Sequence, residues 1–488
     1  MTQIYDVAII GAGIIGTSIA RHLSRYQLDV LLLEKGIDVA MGATKANSAI
    51  VHGGYAEPQS TLKGQLCYAG RQAFSQLNAE LSFGFKTTGS LVVTTEDDPR
   101  PLRALLKQGE ANGLRDLRIV GEETLRALEP ELSTEIKWAL LCEGAGVCSP
   151  YEMAIAMAEN AIKNGVSLRL ESEVYAVSGS KGNFRLDTAG ESIRARYVIN
   201  AAGVYADRVS QMVGVDHFTI WPRSGQYLLF ARGSGKAINH VIFGLPTAKG
   251  KGILLASTLY QNLLIGPDAT DQTDREDTST DLERIAAIFD QCKRLYAGLD
   301  ARQFLRSFTG IRARSSTGDF LIEETKVPGF LQVAGIESPG LTASPAIVHM
   351  VENILERSGL RLEPDPGFDP YRKPIIEQGD LRPLRAIRPL LDRPSSPEKI
   401  ICRCEQVTEG QIIDACQRGI PVKTIDGVKR RTRASMGWCQ GTFCRPRIAE
   451  VMQRTEGPSF DDRSDIEHSG VSRVEKSDLL DFLQTRIE

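Results

Sequence analysis

The sequence lacks the features that place a chain in a membrane or on a nucleic acid. No run approaches the roughly 18 consecutive apolar residues of a transmembrane helix. The formal net charge of −3 leaves no basic excess for nucleic acid. Residues 7–16 are largely apolar, but no basic region precedes them, so they do not have the pattern of a secretory signal. We expect a cytoplasmic protein whose contact with the inner membrane, if it has one, is peripheral and made through a partner.

A disulfide framework is also excluded, because the nine cysteines are odd in number and no signal sequence is evident. Five cysteines are dispersed along the chain, at Cys67, Cys142, Cys148, Cys292 and Cys416. Four lie close together late in the sequence and are interpreted as metal ligands: Cys402, Cys404, Cys439 and Cys444.

The chain has 488 residues, which is too long for one ordinary hydrophobic core and indicates roughly two to four domains. Its apolar fraction of 42% and charged fraction of 24% are ordinary for a globular protein. The N-terminal pattern is strand, glycine-rich turn, helix and strand. This order predicts a βαβ unit and an α/β fold.

The turn of this unit reads GAGIIG at residues 11–16, and Glu34 ends the second strand. Gly11 permits a tight turn, Gly13 lets the backbone approach a pyrophosphate, and Gly16 lets the helix pack on the strand. The helix N-terminus stabilises phosphate charge, and Glu34 can accept hydrogen bonds from ribose hydroxyls. The pattern predicts a dinucleotide site, the alternative being a purely structural glycine turn. It does not separate FAD from NAD.

Three further segments carry a family resemblance. They read ATKANSAIVHGGY at residues 43–55, VINAAG at 198–203 and AGIESPGLT at 334–342. In this order they resemble the D-amino-acid-oxidase-like flavoprotein superfamily. Within it, they resemble the group of bacterial glycerol-3-phosphate dehydrogenases and oxidases and L-2-hydroxyglutarate oxidases. The resemblance covers about residues 3–355 and implies FAD as the cofactor.

The same resemblance implies which residues contact the cofactor. Glu34 and Lys35 would bind the adenosine end, with the backbone of Val174 near the adenine. The N-terminus of the helix that follows Gly340 would stabilise negative charge on the reduced flavin. The remaining implied contacts are Thr44, Asn47 and Ser48 along the pyrophosphate and flavin, Gly203 over the adenine half, and Gly340, Leu341 and Thr342 at the pyrimidine edge.

Oxidation of an alcohol by a flavin needs a base for the hydroxyl proton and an anchor for the substrate. His52 is the candidate base, because imidazole titrates near neutral pH. The alternative is a loop histidine that is satisfied by the backbone. Arg312 and Arg314 lie two apart on a predicted strand and share one face, where they would grip a phosphate or carboxylate. Which of the two does so stays open, and the alternative is a pair of surface arginines.

The late cysteines form a C-x-C pair and a C-x4-C pair, and four thiolates can hold either zinc or a [2Fe-2S] cluster. The segments CRCE at residues 402–405 and MGWCQGTFC at 436–444 resemble the bacterioferritin-associated-ferredoxin-like (BFD-like) [2Fe-2S] domain. This resemblance implies the cluster. Cys416, on the predicted helix between the pairs, is interpreted as a buried thiol.

We therefore predict an α/β architecture with three parts: an FAD-binding Rossmann-like domain of the glutathione-reductase type, an interleaved mixed α+β substrate domain and a small helical [2Fe-2S] domain. Strand patterns prevail over residues 218–313, and the chain from about residue 455 to 475 is expected to be loose before a last helix. The expected ranges are 1–80, 145–215 and 310–358 for the FAD-binding domain, 81–144 and 216–309 for the substrate domain, 359–397 for a proline-rich linker, 398–453 for the BFD-like domain and 454–488 for a C-terminal tail.

The combined resemblances predict oxidation of sn-glycerol 3-phosphate to dihydroxyacetone phosphate. The alternatives are oxidation of L-2-hydroxyglutarate or another 2-hydroxy acid, oxidation of an amine or opine, and a scaffold whose flavin site is inactive. A [2Fe-2S] cluster accepts one electron at a time, so it would connect the flavin to a one-electron chain. We expect a dehydrogenase with an electron-accepting partner subunit or a carrier that leads to quinone or NAD.

Overall fold

The structure is a computed structural model that describes residues 3–246, 252–376, 379–457, 460 and 471–485. The strands in this part of the chain are β1 (Ile4–Ile10), β2 (Val30–Leu33), β3 (Ile50–Val51), β4 (Phe85–Thr87), β5 (Ser90–Thr94), β6 (Leu117–Gly121), β7 (Trp138–Cys142), β8 (Gly146–Cys148), β9 (Ser167–Arg169), β10 (Val174–Ser178), β11 (Phe184–Thr188), β12 (Ser192–Asn200), β13 (Ile220–Arg232), β14 (Val241–Phe243), β15 (Leu254–Ser257), β16 (Asn262–Gly266), β17 (Thr270–Asp271), β18 (Phe304–Ser315), β19 (Leu321–Glu324), β20 (Phe330–Ala334), β21 (Ile400–Cys402) and β22 (Val407–Thr408). The α-helices are α1 (Ile14–Leu23), α2 (Leu62–Gln72), α3 (Phe74–Leu81), α4 (Arg100–Ala111), α5 (Glu122–Leu128), α6 (Pro150–Lys163), α7 (Ala206–Gln211), α8 (Leu282–Leu295), α9 (Gly340–Arg357), α10 (Leu384–Leu391), α11 (Glu409–Cys416), α12 (Ile425–Thr432), α13 (Arg445–Glu456) and α14 (Lys476–Gln484).

The N-terminal βαβ unit lies at the centre of a mostly parallel sheet. β1 pairs in parallel with β2 and β12, and the strand order is β10-β11-β12-β1-β2-β9, with β20 beside β12 and β19 beside β20. All of β2 and the last four residues of β1 are buried, because continuous apolar runs suit strands that are covered on both faces. Val7 and Ile9 of β1 share a core with Ile19 of α1, Ile155 of α6 and Ile347 of α9, so these helices cover one face.

A second large sheet is mainly antiparallel. Its order is β17-β13-β16-β15-β14-β5-β7-β6, and β18 pairs with β13 along nearly its whole length. α8 packs against this sheet through Ile285, Ile288 and Phe289. The sequence pattern over residues 218–313 predicts mainly strands and misses α8, whose apolar residues follow helical spacing within that region.

The cysteine-bearing region forms a small module of β21, β22, α11, α12 and α13. Its own core includes Ile412 and Val428. Asp38, in the loop after β2, joins this module to the first sheet. The Asp38 carboxylate accepts hydrogen bonds of 2.7 Å from Arg430 and from Arg431, and all three side chains are buried.

The proline-rich linker lies along the N-terminal part of the chain, where Gln27 donates its backbone N–H to the carbonyl of Glu363 at 2.8 Å. The last helix is present as α14, which packs on α8. The expectation of a loose segment before it is wrong at its described end, because Val474 is buried in the same core. Residues 458–459 and 461–470 of that segment lie outside the described part. No helix among the described residues has the length and apolar character needed to cross a bilayer.

Candidate active site and cluster site

One cavity of about 1520 Å³ lies where the two large sheets and the cysteine-bearing module meet. Its volume exceeds the roughly 300–1,000 Å³ that is usual for small-molecule pockets. Of the predicted catalytic and cofactor-binding residues, the structure places three elsewhere: Gly16, Arg314 and Thr342. The predicted residues that line the cavity are Gly11, Gly13, Glu34, Lys35, Thr44, Asn47, Ser48, His52, Val174, Gly203, Arg312, Gly340 and Leu341.

The glycine turn between β1 and α1 fits a bound dinucleotide. Gly11 has a φ of +102°, and a Cβ there would lie 2.5 Å from the carbonyl oxygen of Ala201. A Cβ at Gly16 would lie 1.8 Å from the carbonyl oxygen of Gly11, so only glycine lets α1 pack this closely. The one atom near a Cβ at Gly13 would be the Thr44 hydroxyl, at 3.4 Å. The backbone at Gly13 is therefore open to the cavity, as contact with a pyrophosphate requires.

Glu34 lies at the end of β2, where it lines the cavity. Its carboxylate accepts hydrogen bonds of 2.8 Å from the N–H groups of Ala12 and Gly36, and burial raises the pKa of Glu34. These two bonds fix the carboxylate and leave lone pairs on both oxygens for further donors. The ammonium of Lys35 lies 4.0 Å from the ring centroid of Tyr205, which also lines the cavity and which sequence reasoning missed.

His52 is held by the first turn of α9. Its backbone N–H donates to the hydroxyl of Thr342 at 2.9 Å, and its Nε2 lies 3.3 Å from the hydroxyl of Ser338. The imidazole ring stacks on Phe243, with centroids 6.0 Å apart. The Thr342 side chain thus supports the backbone of His52, donating its own hydroxyl to the carbonyl of Ile50 at 3.3 Å, and lies outside the cavity lining.

Arg312 and Arg314 leave the same strand, β18, into different surroundings. Arg312 lines the cavity, and its Nη2 donates to the carbonyl of Asp268 at 2.9 Å. Arg314 lies beyond the cavity, 3.6 Å from a carboxylate oxygen of Asp271 and over the ring of Trp221. Among the described residues, only Arg312 of this pair faces the cavity.

Two residues of the neighbouring strand β13 shape the space around Arg312, and neither was predicted. A Cβ at Gly225 would lie 2.3 Å from Arg312 Nη2, so a larger residue would displace the guanidinium. The ring of Tyr227 stacks on Phe308 with centroids 4.8 Å apart, and burial raises the pKa of Tyr227. The available signal was a glycine inside a strand, which often marks the close approach of another group.

A buried ion pair at the cavity wall was also missed. Lys63 Nζ lies 2.8 Å from a carboxylate oxygen of Glu337, and both residues line the cavity. Lys63 belongs to α2, a helix that was not predicted. No local motif marks this lysine, because its partner lies 274 residues further along the chain.

The four late cysteines come together as two pairs. The Sγ atoms of Cys404 and Cys439 lie 3.7 Å apart, and the neighbouring thiol of Cys444 raises the pKa of Cys402. Among the described residues, no three of these thiols lie within 4.8 Å of one another. One tetrahedral zinc ion would hold all four at about 3.8 Å, given Zn–S bonds of about 2.3 Å. Two separated pairs fit the two irons of a [2Fe-2S] cluster better.

Side chains of the cysteine-bearing module form part of the cavity wall. Met436, three residues before Cys439, lines the cavity and accepts a hydrogen bond from the Tyr151 hydroxyl at 3.7 Å. Arg433 also lines it and donates to Glu405, the residue after Cys404, at 3.0 Å. The cluster site therefore adjoins the cavity through single side chains.

The profile of a family described as FAD dependent oxidoreductase matches residues 6–353. The chain belongs to the FAD-dependent oxidoreductase family. A second profile, described as BFD-like [2Fe-2S] binding domain, matches residues 400–454. Both cofactor predictions, FAD and a [2Fe-2S] cluster, are thereby confirmed for this oxidoreductase, and so are the predicted fold class and family.

Individual relatives of this FAD-dependent oxidoreductase include dehydrogenases and oxidases. It is 43% identical over 455 residues to a glycerol 3-phosphate dehydrogenase of Caloramator mitchellensis. The alignment covers 93% of this chain and 95% of that protein. It is 31% identical to a glycerol 3-phosphate oxidase of Mycoplasma genitalium, over 72% of this chain and 95% of that one. Its structure is similar to that of an FAD-bound L-alpha-glycerophosphate oxidase from Mycoplasma pneumoniae, with a TM-score of 0.72 and 29% identity over 76% of this chain and 99% of that one.

Proposed function

We propose that this protein is a dehydrogenase that oxidises sn-glycerol 3-phosphate to dihydroxyacetone phosphate and passes the electrons to a partner. One observation carries the proposal: His52, Arg312 and the wall of the cysteine-bearing module all face the same cavity. A base, an arginine that can bind an anion and a route for electrons towards the cysteine-bearing module are thus available to one substrate. The relatives that match most of this chain act on glycerol 3-phosphate by their names, which supports this choice of substrate.

The two halves of FAD would be held by different parts of the cavity. Gly11, Gly13 and Glu34 would hold the nucleotide half of FAD, and Gly340 with Leu341 would face the flavin. When bound, FAD supplies a hydride acceptor and the [2Fe-2S] cluster a carrier of single electrons. Cys402, Cys404, Cys439 and Cys444 would hold the cluster.

His52 takes the hydroxyl proton of the substrate in this proposal. Its ring is oriented by Phe243 and its backbone by Thr342, so Nε2 is the nitrogen that faces Ser338 and the cavity. Loss of this proton from the hydroxyl oxygen, and of a hydride from the carbon that bears this oxygen, converts the secondary alcohol into a ketone.

Arg312 holds the phosphate of the substrate. Its guanidinium offers several donors in a fixed fork, and the carbonyl of Asp268 accepts from one of them. Arg314 is paired with Asp271 outside the cavity and is assigned no substrate contact.

The cluster-bearing module favours a dehydrogenase over an oxidase. The match to the Mycoplasma genitalium oxidase uses 95% of that protein but only 72% of this chain, whereas the dehydrogenase match uses 93% of this chain. We infer that the electrons leave through the module to an electron-accepting subunit or carrier that leads to quinone or NAD. Any contact with the inner membrane would then be peripheral and made through this partner.

An anaerobic absorbance experiment tests the proposal. Glycerol 3-phosphate should bleach the flavin band of the purified protein and then reduce the iron–sulfur absorbance. Bleaching by L-2-hydroxyglutarate or by an amino acid, with none by glycerol 3-phosphate, would replace the proposed substrate.

The Cys439→Ser variant separates the two half-reactions. It should keep flavin bleaching and lose transfer to a one-electron acceptor, while Cys292→Ser, a buried thiol far from the module in sequence, should keep both. Rapid turnover with oxygen alone, unchanged in Cys439→Ser, would contradict the electron outlet.

A further inference from the structure

A second group of cations lines the cavity where it meets the cysteine-bearing module. Arg306 comes from β18, Lys429 and Arg430 come from α12, and Arg473 comes from the segment before α14. We call these four residues the basic chamber. They come from three distant parts of the chain, so only the tertiary structure brings them together.

The basic chamber is distinct from the site at Arg312. Arg306, Phe308, Gly310 and Arg312 alternate along β18, so they share one face, and all four line the cavity. Six residues of strand span roughly 20 Å. Between the two arginines the backbone of Gly310 touches the loop before β3, since a Cβ there would lie 1.9 Å from the carbonyl oxygen of Ala46. A small substrate at Arg312 therefore does not reach Arg306.

The cations of the chamber differ in how they are neutralised. Arg430 is bound by Asp38 at 2.7 Å and also by Asp426, whereas Lys429 Nζ lies 3.7 Å from Asp426. Within the described part of the chain, the guanidinium of Arg306 forms no ion pair and no side-chain hydrogen bond, and the carboxylates whose charge acts on it are Asp426 and Glu475. Burial and the positive charge of Arg306 lower the pKa of Lys429 to about 7. Cations gathered in this way cost free energy unless an anion shares the space.

The position of Arg473 is built into the fold. The hydroxyl of Ser307, next to Arg306 on β18, donates to the carbonyl of Val474 at 2.9 Å. The N–H of Val474 donates to the hydroxyl of Thr280 at 2.8 Å, and the Val474 side chain is buried. These contacts fix the segment at the cavity wall, so Arg473 is not a mobile surface arginine.

We propose that the basic chamber binds a phosphate dianion, free or esterified. Within the described part of the chain, four cations line the chamber and Asp426 is the carboxylate that lines the cavity beside them, which favours a doubly charged anion over a single carboxylate. Two arginines of the chamber can each offer a planar fork to phosphate oxygens.

Calorimetric titration of the FAD- and cluster-loaded protein with inorganic phosphate, at constant ionic strength and neutral pH, tests the proposal. The wild-type protein should bind two phosphates, one at Arg312 and one in the chamber. Arg312→Gln should keep the chamber phosphate, and Arg306→Gln should weaken it by about tenfold or more. Arg473→Gln is a second variant with the same expectation. The control is Arg302→Gln, because this arginine is 82% exposed and forms an ion pair with nearby Asp300.

A titration of the Arg312→Gln variant that shows no phosphate binding would overturn the proposal, and so would an Arg306→Gln isotherm identical to that of the wild type. Titration of the Arg312→Gln protein with glycerol 3-phosphate identifies the source of the anion. Binding would assign a phosphate ester, and its absence beside retained phosphate binding would assign free phosphate. The phosphate isotherm does not depend on which substrate bleaches the flavin, so the proposed function can fail separately.

Discussion

The glycine turn after β1 and the substrate wall formed by β13 and β18 line the same cavity but are built in opposite ways. The turn is local: Gly11 and Gly16 are five residues apart, and their close approach is made within one βαβ unit. The wall is assembled at long range, since Gly225 gives room to Arg312 across a strand pair. A short motif therefore reveals the nucleotide end of the cavity but not the substrate end.

The largest effect is expected from a substitution at Gly16, which tests the local packing of the glycine turn. In Gly16→Ala the new Cβ would lie 1.8 Å from a backbone oxygen that has no room to move, so α1 must shift away from β1. We expect loss of bound FAD and a decrease of about 3 kcal/mol or more in the free energy of unfolding, measured by flavin absorbance and denaturant titration. Gly190→Ala is the matched control, because nothing lies within 4 Å of its Cβ. Full flavin content in Gly16→Ala would contradict the close packing.

The next largest effect is expected from substitutions of Arg312 and Arg314, which test the substrate wall formed by β13 and β18. Arg312→Gln removes the only arginine of the pair that faces the cavity, and we expect kcat/KM for glycerol 3-phosphate to fall by about 100-fold or more. Arg314→Gln disturbs a half-exposed ion pair with Asp271, so steady-state assays should show a change within about threefold. Equal losses in the two variants would show that the wall does not discriminate between them.

A smaller effect is expected at the buried contact between Glu152 and Tyr260. Burial raises the pKa of Glu152 to about 7, although the hydroxyl of Tyr260 donates to it at 2.8 Å. A raised carboxyl pKa in the folded state contributes stability below pH of about 4.5 that is lost as the pH rises to about 7. Glu152→Gln should therefore gain up to about 3 kcal/mol in unfolding free energy relative to wild type between these pH values. Denaturant titrations in which the unfolding free energies of the wild type and of Glu152→Gln differ by the same amount at every pH in this range would rule out this effect.

The smallest effect is expected at Gly225, where a substitution tests the room that this glycine leaves for Arg312. In Gly225→Ala the added Cβ pushes the end of the flexible Arg312 side chain and leaves its charge in place. We expect KM to rise by about tenfold with kcat within about threefold, measured by steady-state kinetics with a one-electron acceptor. Gly190→Ala again serves as control. A fall in kcat at constant KM would place Arg312 in the chemical step instead.

Prediction from the sequence was accurate where neighbouring residues decide the structure. The predicted N-terminal order of strand, glycine-rich turn, helix and strand is present as β1, α1 and β2, and the predicted last helix is present as α14. α2, α3 and α8 were missed, and with α2 the buried pair of Lys63 with Glu337. α2 and α8 begin after the capping side chains of Thr61 and Asp281, but a single cap is a weak signal, and the apolar faces of these helices acquire meaning only against the elements on which they pack.

The sequence by itself determined a dinucleotide site and a four-thiolate metal site, because the glycine turn and the paired cysteines are short motifs whose geometry follows from local backbone sterics and thiolate chemistry. The family resemblance of longer segments then identified FAD and the [2Fe-2S] cluster. Only the tertiary structure decided that Arg312 and not Arg314 faces the cavity, that the cluster site adjoins it, and that Arg306 meets Lys429 and Arg473. These outcomes depend on strand register, on where β18 passes the edge of the cavity, and on contacts between residues more than 100 positions apart, none of which a local pattern encodes.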